Sequence, residues 1–438
     1  MIGKSRKKDN SSINNNDYGE RNALRNFNEK KIETDDFIIK DLGVNKDSKG
    51  ASAGIAKKLV DKKINLKKIS IVTFILLIVM TILFSIRFIR FNVVEMLWKT
   101  SVTKGSDNVN NKSIRYSSFK NGLMRISNDG ITYINNIGEV KYTISYNMKD
   151  PIYESNDNYF VIADRNGYEF YIFDKDGMSG NNFLTNPIQK ISISKEGVVY
   201  ILQSDEESSY INVFRNNGEE IDISIKANLT NDGMPIDIST SDDGTELLAL
   251  YICLSNNDIF SKATYYNFED AGKNANSKRI VGEFVDELNN KYLARVHFFD
   301  NKTSCLIYDS GIYFVSTANL AKPTITGNVE FEYKIKSISY NSDYVAFVFE
   351  NNEMMIFNKG GTLIADKTID FDYENFYISD NYVIFLYGNR VMIYDIRGRM
   401  IFDKELEMEV QYVAKKKSLF WTELLVGITD GVECIRFY

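Results

Sequence analysis

Hydrophobic and polar positions divide the chain into three stretches. Across residues 1–56 apolar side chains are scattered and Asn, Ser, Lys and Asp dominate. Such a stretch cannot bury enough apolar surface to offset its ordering entropy, so a disordered cytoplasmic tail is expected. Its one apolar cluster, Asp36-Phe-Ile-Ile-Lys-Asp-Leu-Gly43, reads either as a docking peptide or as a chance cluster. Residues 69–86 then read ISIVTFILLIVMTILFSI, 18 positions without a charge. From residue 91 onward, apolar runs of about five or six residues alternate with turns containing Gly, Asn and Asp, the mark of short strands and hairpins.

As a helix, the apolar run would cover roughly 27 Å, about one bilayer core. Phe88 and Ile89 extend it, and Arg87 and Arg90 can snorkel outward, so residues 69–90 are read as a single transmembrane helix in contact with the lipid bilayer. A buried core helix fits less well, because the run has no polar face and lysines flank it. No small-residue cleavage site follows it, which favours an uncleaved signal anchor over a signal peptide. Lys57, Lys58, Lys62, Lys63, Lys67 and Lys68 precede the run, while Arg87, Arg90, Lys99 and Lys104 are spread out after it. The positive-inside bias therefore predicts a cytoplasmic N-terminus, a basic juxtamembrane segment at 57–68 and an extracytoplasmic domain at 91–438. Residues 53–68 also fit a short helix lying on the membrane surface, with Ile55 and Leu59 dipping in.

The third stretch repeats. A strand followed by a polar glycine turn recurs at Thr132–Gly138, Tyr171–Gly177, Asn212–Gly218, Tyr266–Gly272, Met355–Gly361 and Met392–Gly398, with a degenerate unit at Gly311–Thr317. The spacings are 39, 41, 54, 89 across the degenerate unit, and 37. A period near 40 with insertions matches a four-stranded propeller blade. Within residues 373–406, strands are expected at 375–379, 382–387, 390–394 and 400–404. Three more are expected at 410–413, 419–422 and 431–438. Seven full units and an incomplete last one, closed by a strand near 97–103, predict an all-β propeller of about eight four-stranded blades. Seven blades is the main alternative, with a β-sandwich or a β-helical stack as competitors. The sole stretch with helical period in this domain is 282–293.

The order of anchor, short linker and Tyr/Phe-rich propeller resembles an uncharacterised bacterial membrane-anchored family, domain of unknown function 5711. The resemblance is carried by Asn121-Gly-Leu-Met-Arg-Ile-Ser-Asn-Asp-Gly-Ile-Thr-Tyr-Ile-Asn135 followed by Gly138, and covers roughly 97–438. It implies a propeller and transfers no catalytic residues.

Charge sharpens the division. Residues 1–90 hold 19 Lys+Arg against 10 Asp+Glu, and the remainder 34 against 49. A net of +9 followed by −15 fits ends facing different compartments. It speaks against a nucleic-acid binder, whose basic residues should cluster on the folded domain.

Candidate chemistry is sparse. The single histidine, His297, sits in Leu-Ala-Arg-Val-His-Phe-Phe and reads as a buried strand residue. Cys253, Cys305 and Cys434 lie in apolar runs without Cys-x-x-Cys spacing and read as small buried hydrophobes; one disulfide among them is not predictable. The turns Asp164-Arg-Asn-Gly167, Asp174-Lys-Asp-Gly177 and Ser241-Asp-Asp-Gly244 are ordinary turn chemistry rather than calcium loops. No catalytic, cofactor-binding or metal-binding residue is expected, and no ligand-binding residue is assigned. The expected role is a non-enzymatic binding or scaffolding module at the cell envelope, with an envelope protein or cell-wall polymer as partner. An envelope enzyme using acidic residues at the propeller mouth and a transmembrane sensor are the competing readings.

Overall fold

The computed structural model describes residues 70–83, 94–102, 114–255, 258–276, 278–418 and 422–437. These fall into two units, one within residues 1–90 and one within 91–438. In the first, residues 70–83 form a helix whose described residues are all exposed, Phe74 and Leu77 among them. The Thr73 and Thr81 hydroxyls donate back to the carbonyls of Ser70 (3.0 Å) and Ile78 (2.8 Å). Among the described residues no helix is long and apolar enough to cross a membrane. Both ends of the 69–90 run, the tail at 1–56 with its cluster at 36–43, and the segment at 57–68 lie outside the described residues.

The second unit is a ring of eight antiparallel four-stranded sheets. Blades 1 to 7 follow one another at 115–145, 151–183, 188–228, 234–284, 293–330, 335–368 and 375–405. Each runs from an innermost strand to an outermost one. Blade 8 takes its inner three strands, Val410–Lys416, Thr422–Ile428 and Gly431–Phe437, from the end of the domain. Its outermost strand, Val94–Ser101, comes from the beginning, antiparallel with Val94 opposite Phe437 and Ser101 opposite Gly431. The expected closing strand is thus present, three residues earlier at its start, and the count is eight. The repeated glycine turn is the turn between the third and outermost strands.

The burial pattern explains why the middle strands are apolar throughout. In blade 7, Val383 and Phe385 belong to the cluster shared with blade 6, whereas Ile384 and Leu386 belong to the cluster shared with blade 8. Successive side chains point to opposite faces of a strand, and here both faces meet a neighbouring sheet. The core is accordingly eight wedges, one at each blade junction. The outermost strands alternate, as in Thr324–Glu330, where every second residue is exposed. Each outermost pairing carries a register shift. Bulges increase local twist and blunt the outward edge.

Three expectations are corrected. Residues 282–293 are not a helix: strand Ile280–Phe284 leads into a single 3-10 turn, Asp286–Leu288, because the chain there completes blade 4. The unit at 266–272 is not a strand and turn alone. It enters a helix, Asp270–Ala275, in which Gly272 is packed against the Asn267 carbonyl where a Cβ would stand. That helix and two ten-residue strands, Glu246–Ser255 and Asp258–Asn267, lengthen blade 4. Finally, the strand expected at 419–422 begins at Thr422 and runs to Ile428, with residues 419–421 outside the described set.

Closure is held by packing and by specific bonds. Leu97 and Trp98 of the closing strand pack on Leu123, Ile134, Leu425 and Cys434. The buried Tyr116 hydroxyl of blade 1 lies within hydrogen-bonding distance of the blade 8 carbonyls of Ile428 (2.7 Å) and Gly431 (2.8 Å). Thr100 donates to the Gly138 carbonyl at 2.6 Å. Gly138 has φ +87°, and a Cβ there would stand 2.8 Å from the Trp98 ring. Gly138→Ala is therefore expected to destabilise the fold by about 1–3 kcal/mol in denaturant titration, from backbone strain together with the clash. Tyr116→Phe, which removes the one buried O–H that the Ile428 and Gly431 carbonyls share, is expected to cost about 1–3 kcal/mol in the same measurement.

Candidate functional site

The innermost strands surround a channel of about 730 Å³. A strand at the inner rim has one edge paired within its blade and one edge open. In this ring a side chain from the preceding blade closes much of that open edge. Ser192 accepts from the Thr240 N–H (3.2 Å), Ser239 from Phe298 (2.9 Å) and Ser339 from Ile378 (2.9 Å). Tyr377 accepts from the Val413 N–H (2.6 Å) and donates to the Val413 carbonyl (3.0 Å). Tyr412 accepts from the Ser118 N–H at 3.3 Å. Asp237 accepts from the Val296 N–H at 3.0 Å. Buried backbone groups left unpaired would each cost about 1–3 kcal/mol, so these bonds are part of the ring itself.

The equivalent positions in blades 2 and 5 hold the titratable members, Glu154 and His297. Ser192 donates to Glu154 Oε1 at 3.3 Å while taking the Thr240 N–H. Lys190 pairs with the buried Asp237 at 2.7 Å. Burial pushes the Glu154 carboxyl up to about 7, and the Asp237 charge adds to the rise; Lys190, Ser192 and the Ile193 N–H pull the other way. His297 places Nε2 3.2 Å from the Asn341 carbonyl and stacks on Tyr340 with ring centroids 4.2 Å apart. Burial pushes its pKa down to about 4, against the pull of that carbonyl. The histidine expected as a buried strand residue lies in strand Leu293–Phe298 and lines the channel.

The channel and its mouths are lined by more cations than carboxylates, Lys190, Lys415 and Lys417 among seven Lys/Arg, against Glu154, Asp157, Asp242 and Asp380. The second domain as a whole has the opposite balance. One mouth is built from the hairpins joining inner and second strands, including Lys120, Asn121, Asp157, Lys195 and Asp242. The domain's chain enters on that side, since Val94 pairs at the same end as Phe437. Lys195 and Asp242 pair between the neighbouring hairpins of blades 3 and 4 at 2.8 Å.

The aspartate turns do what turns require. Asp164 Oδ1 accepts from the Lys149 (2.9 Å) and Asp150 (2.8 Å) N–H groups. Asp174 caps the Asp176 N–H, and Asp243 caps Thr245. Among the described residues no group of three or more His, Cys, Asp or Glu side chains could hold a metal ion. The three cysteines are free and buried, and burial pushes their thiols up. The ring of inter-blade side chains was missed by sequence reasoning. Its trace was there as a polar residue after an apolar one shortly before the first hairpin, in Ile-Ser192-Ile, Ile-Ser239-Thr, Val-His297-Phe and Ile-Ser339-Tyr.

The family model described as "Family of unknown function (DUF5711)" matches residues 93–437. The chain belongs to this family. No curated protein matches it in sequence. Among solved structures it is similar to Sqt1 of Saccharomyces cerevisiae, with a TM-score of 0.50 and 11% identity over 79% of this chain and 99% of that one. It is similar to Sqt1 of Chaetomium thermophilum, with a TM-score of 0.50 and 11% identity over 75% and 99%. BamB of Moraxella catarrhalis matches with a TM-score of 0.45 and 12% identity over 79% and 100%. At these identities the likeness to Sqt1 shows the fold, a β-propeller.

Glu154 and His297 give opposed pH dependences. Glu154 holds its proton in the folded state up to about 7, above the ordinary 4.5, so its contribution falls as pH rises between those values. His297 resists protonation down to about 4, below the ordinary 6.5, so its contribution rises with pH across that window. Relative to the wild type, whose slope also carries the buried Glu246 carboxyl held up to about 8, Glu154→Gln should shift the melting-temperature slope between pH 4.5 and 6.5 upward, and His297→Gln should shift it downward. Matching profiles for all three proteins would refute the assignment.

Proposed function

We propose that this DUF5711 member is a single-pass membrane protein whose extracytoplasmic propeller acts as a binding or scaffolding module at the cell envelope. The observation that carries the module reading is the fate of the channel's polar groups. Serine, tyrosine and Asp237 side chains at the inner rim are engaged in bonds from one blade to the next, and Asp237 and Asp242 are each paired with a lysine. Groups held this way make the ring rigid, and a rigid ring presents its hairpins in a fixed arrangement. The binding surfaces of this reading are therefore the mouths and faces.

The anchoring part is supported by the uncharged run at 69–86 and by the lysines before it. It is also supported by the helix at 70–83, whose described apolar side chains are exposed. Isoleucine, leucine and phenylalanine at 40–66% exposure across several turns are what a lipid-facing helix requires. Partners on this reading are an envelope protein or a cell-wall polymer.

The test uses the full chain in its own cells. Alkaline extraction should leave it in the membrane pellet, and deletion of residues 69–90 should release it. Protease added outside cells freed of their wall should cut the propeller and spare an N-terminal tag. Recovery of the intact chain in the alkaline supernatant, or a protected propeller, would refute the anchored extracytoplasmic reading. A photo-crosslinker at Asn121 or Lys417 should give a discrete adduct with an envelope component; absence of any adduct from either mouth position or from the opposite face would sink the module reading.

A further inference from the structure

The ring is not equally closed at every junction. Between blades 5 and 6, His297 supplies the only hydrogen bond among the described residues that joins the two inner strands, and it reaches past the Tyr340 N–H to the Asn341 carbonyl. The pairing of Asn341 with Tyr344 fixes the parity of this blade. Residues two apart share one edge in an antiparallel ladder, so Ile338 and Tyr340 direct their backbone groups away from their own sheet, toward blade 5. No side chain of blade 5 claims the Tyr340 N–H, whereas the corresponding N–H groups of Thr240, Phe298, Ile378 and Val413 are claimed. The inner strand of blade 6, Ile335–Tyr340, is also unusual in having no fully buried residue.

A groove of about 1010 Å³ opens along this edge. It lies on the face opposite the mouth hairpins, where Asp309-Ser310 turns and the 331–334 connection enters blade 6. Tyr333, exposed at 44%, and the half-buried Phe331 and Phe376 give it an aromatic lining. Arg295, Lys334 and Lys336 line it with no carboxylate within ion-pairing distance among the described residues, although Lys336 sits over the Tyr373 ring at 4.7 Å. Its carboxylates are Asp309, which accepts the Tyr292 N–H at 3.2 Å, and Glu332. The groove is thus a cationic, aromatic strip beside an open strand edge, on a domain that is acidic overall.

We propose that this groove binds an extended acidic segment of a partner polypeptide, which adds to the open edge of the Ile335–Tyr340 strand and sets its carboxylates against Arg295, Lys334 and Lys336. Main-chain bonds to a free edge supply affinity in strand addition, and pockets for alternate side chains supply selection. The open edge is what favours a polypeptide over an anionic carbohydrate, which has no ladder of amides to pair. The local cations select acidic segments against the repulsion of the rest of the domain, so binding weakens with salt. The inference rests on reading the propeller as a binding module, and is independent of anchoring and of the channel mouth.

The full chain in detergent micelles is panned against a displayed library of random decapeptides, and the selected peptides are measured by fluorescence polarisation. Selected sequences should be rich in Asp and Glu. Arg295→Glu/Lys336→Glu should weaken them roughly tenfold or more, Tyr333→Ala less, and Lys120→Glu/Lys417→Glu at the opposite mouth not at all. Bound peptide should slow amide exchange at Ile338 and Tyr340. Selected peptides without acidic bias, unchanged affinity in the Arg295/Lys336 variant, or no protection at those amides would overturn the proposal while leaving the module reading intact. Tighter binding of polygalacturonate than of any peptide, lost in the same variant, would assign the groove to carbohydrate and overturn it too. Absence of any peptide or polyuronate binding also overturns it; the module reading fails with it if the crosslinking in cells finds no adduct.

Discussion

Everything in the propeller depends on the requirement that each sheet be covered on both faces. A blade with two apolar faces is insoluble alone and half-covered at the end of a row. Only a closed ring supplies every blade with two neighbours. The eighth junction is therefore not an ornament of the fold. Burial of a large apolar side chain contributes about 1.5–3 kcal/mol, and the wedge between blades 8 and 1 buries Leu123, Ile134, Leu425, Val432 and Tyr116 together. No single hydrogen bond, at a net of about 1 kcal/mol, could replace that. The closing strand matters because it completes the sheet that carries half of this wedge, and because Trp98 and Thr100 reach blade 1 at Gly138.

Closing the ring creates a second demand at its centre. Inner strands have no further strand to pair with, so their free edges must find partners among side chains or water. Here the solution is sequential, with one polar residue reaching to the next blade. Serine does this without filling the channel, and tyrosine does it from farther away while stacking, as Tyr377 and Tyr412 do at 4.8 Å. Glutamate and histidine do it at the cost of titratable groups in a dry place, which is why their proton affinities move in opposite directions. The same demand is met least completely between blades 5 and 6, where histidine reaches past the amide that a serine would have taken.

The repeating strands, the glycine turns, the count of blades and the use of an N-terminal strand to close the ring were all legible in the order of residues. They follow from local rules: period two in a strand, positive φ at Gly218 or Gly398, and the length that four short strands need. Even the strand limits in blade 7 agree to within a residue. Where a blade departs from the average, local rules fail. The helix at Asp270–Ala275 is inserted between the third and outermost strands of blade 4, and the period alone carried no sign of it.

An all-β repeat, its closure and an uncharged segment ahead of it are each written in neighbouring residues. Which polar residues share the channel depends on the assembled ring, since Glu154, Ser192, Asp237 and His297 stand on four successive blades and come to one channel only when it closes. Only the tertiary structure decided that His297 faces a channel, and that the edge beside it stays open. Those facts depend on how far one blade lies from the next, a distance set by the packing of the wedges and absent from any local pattern.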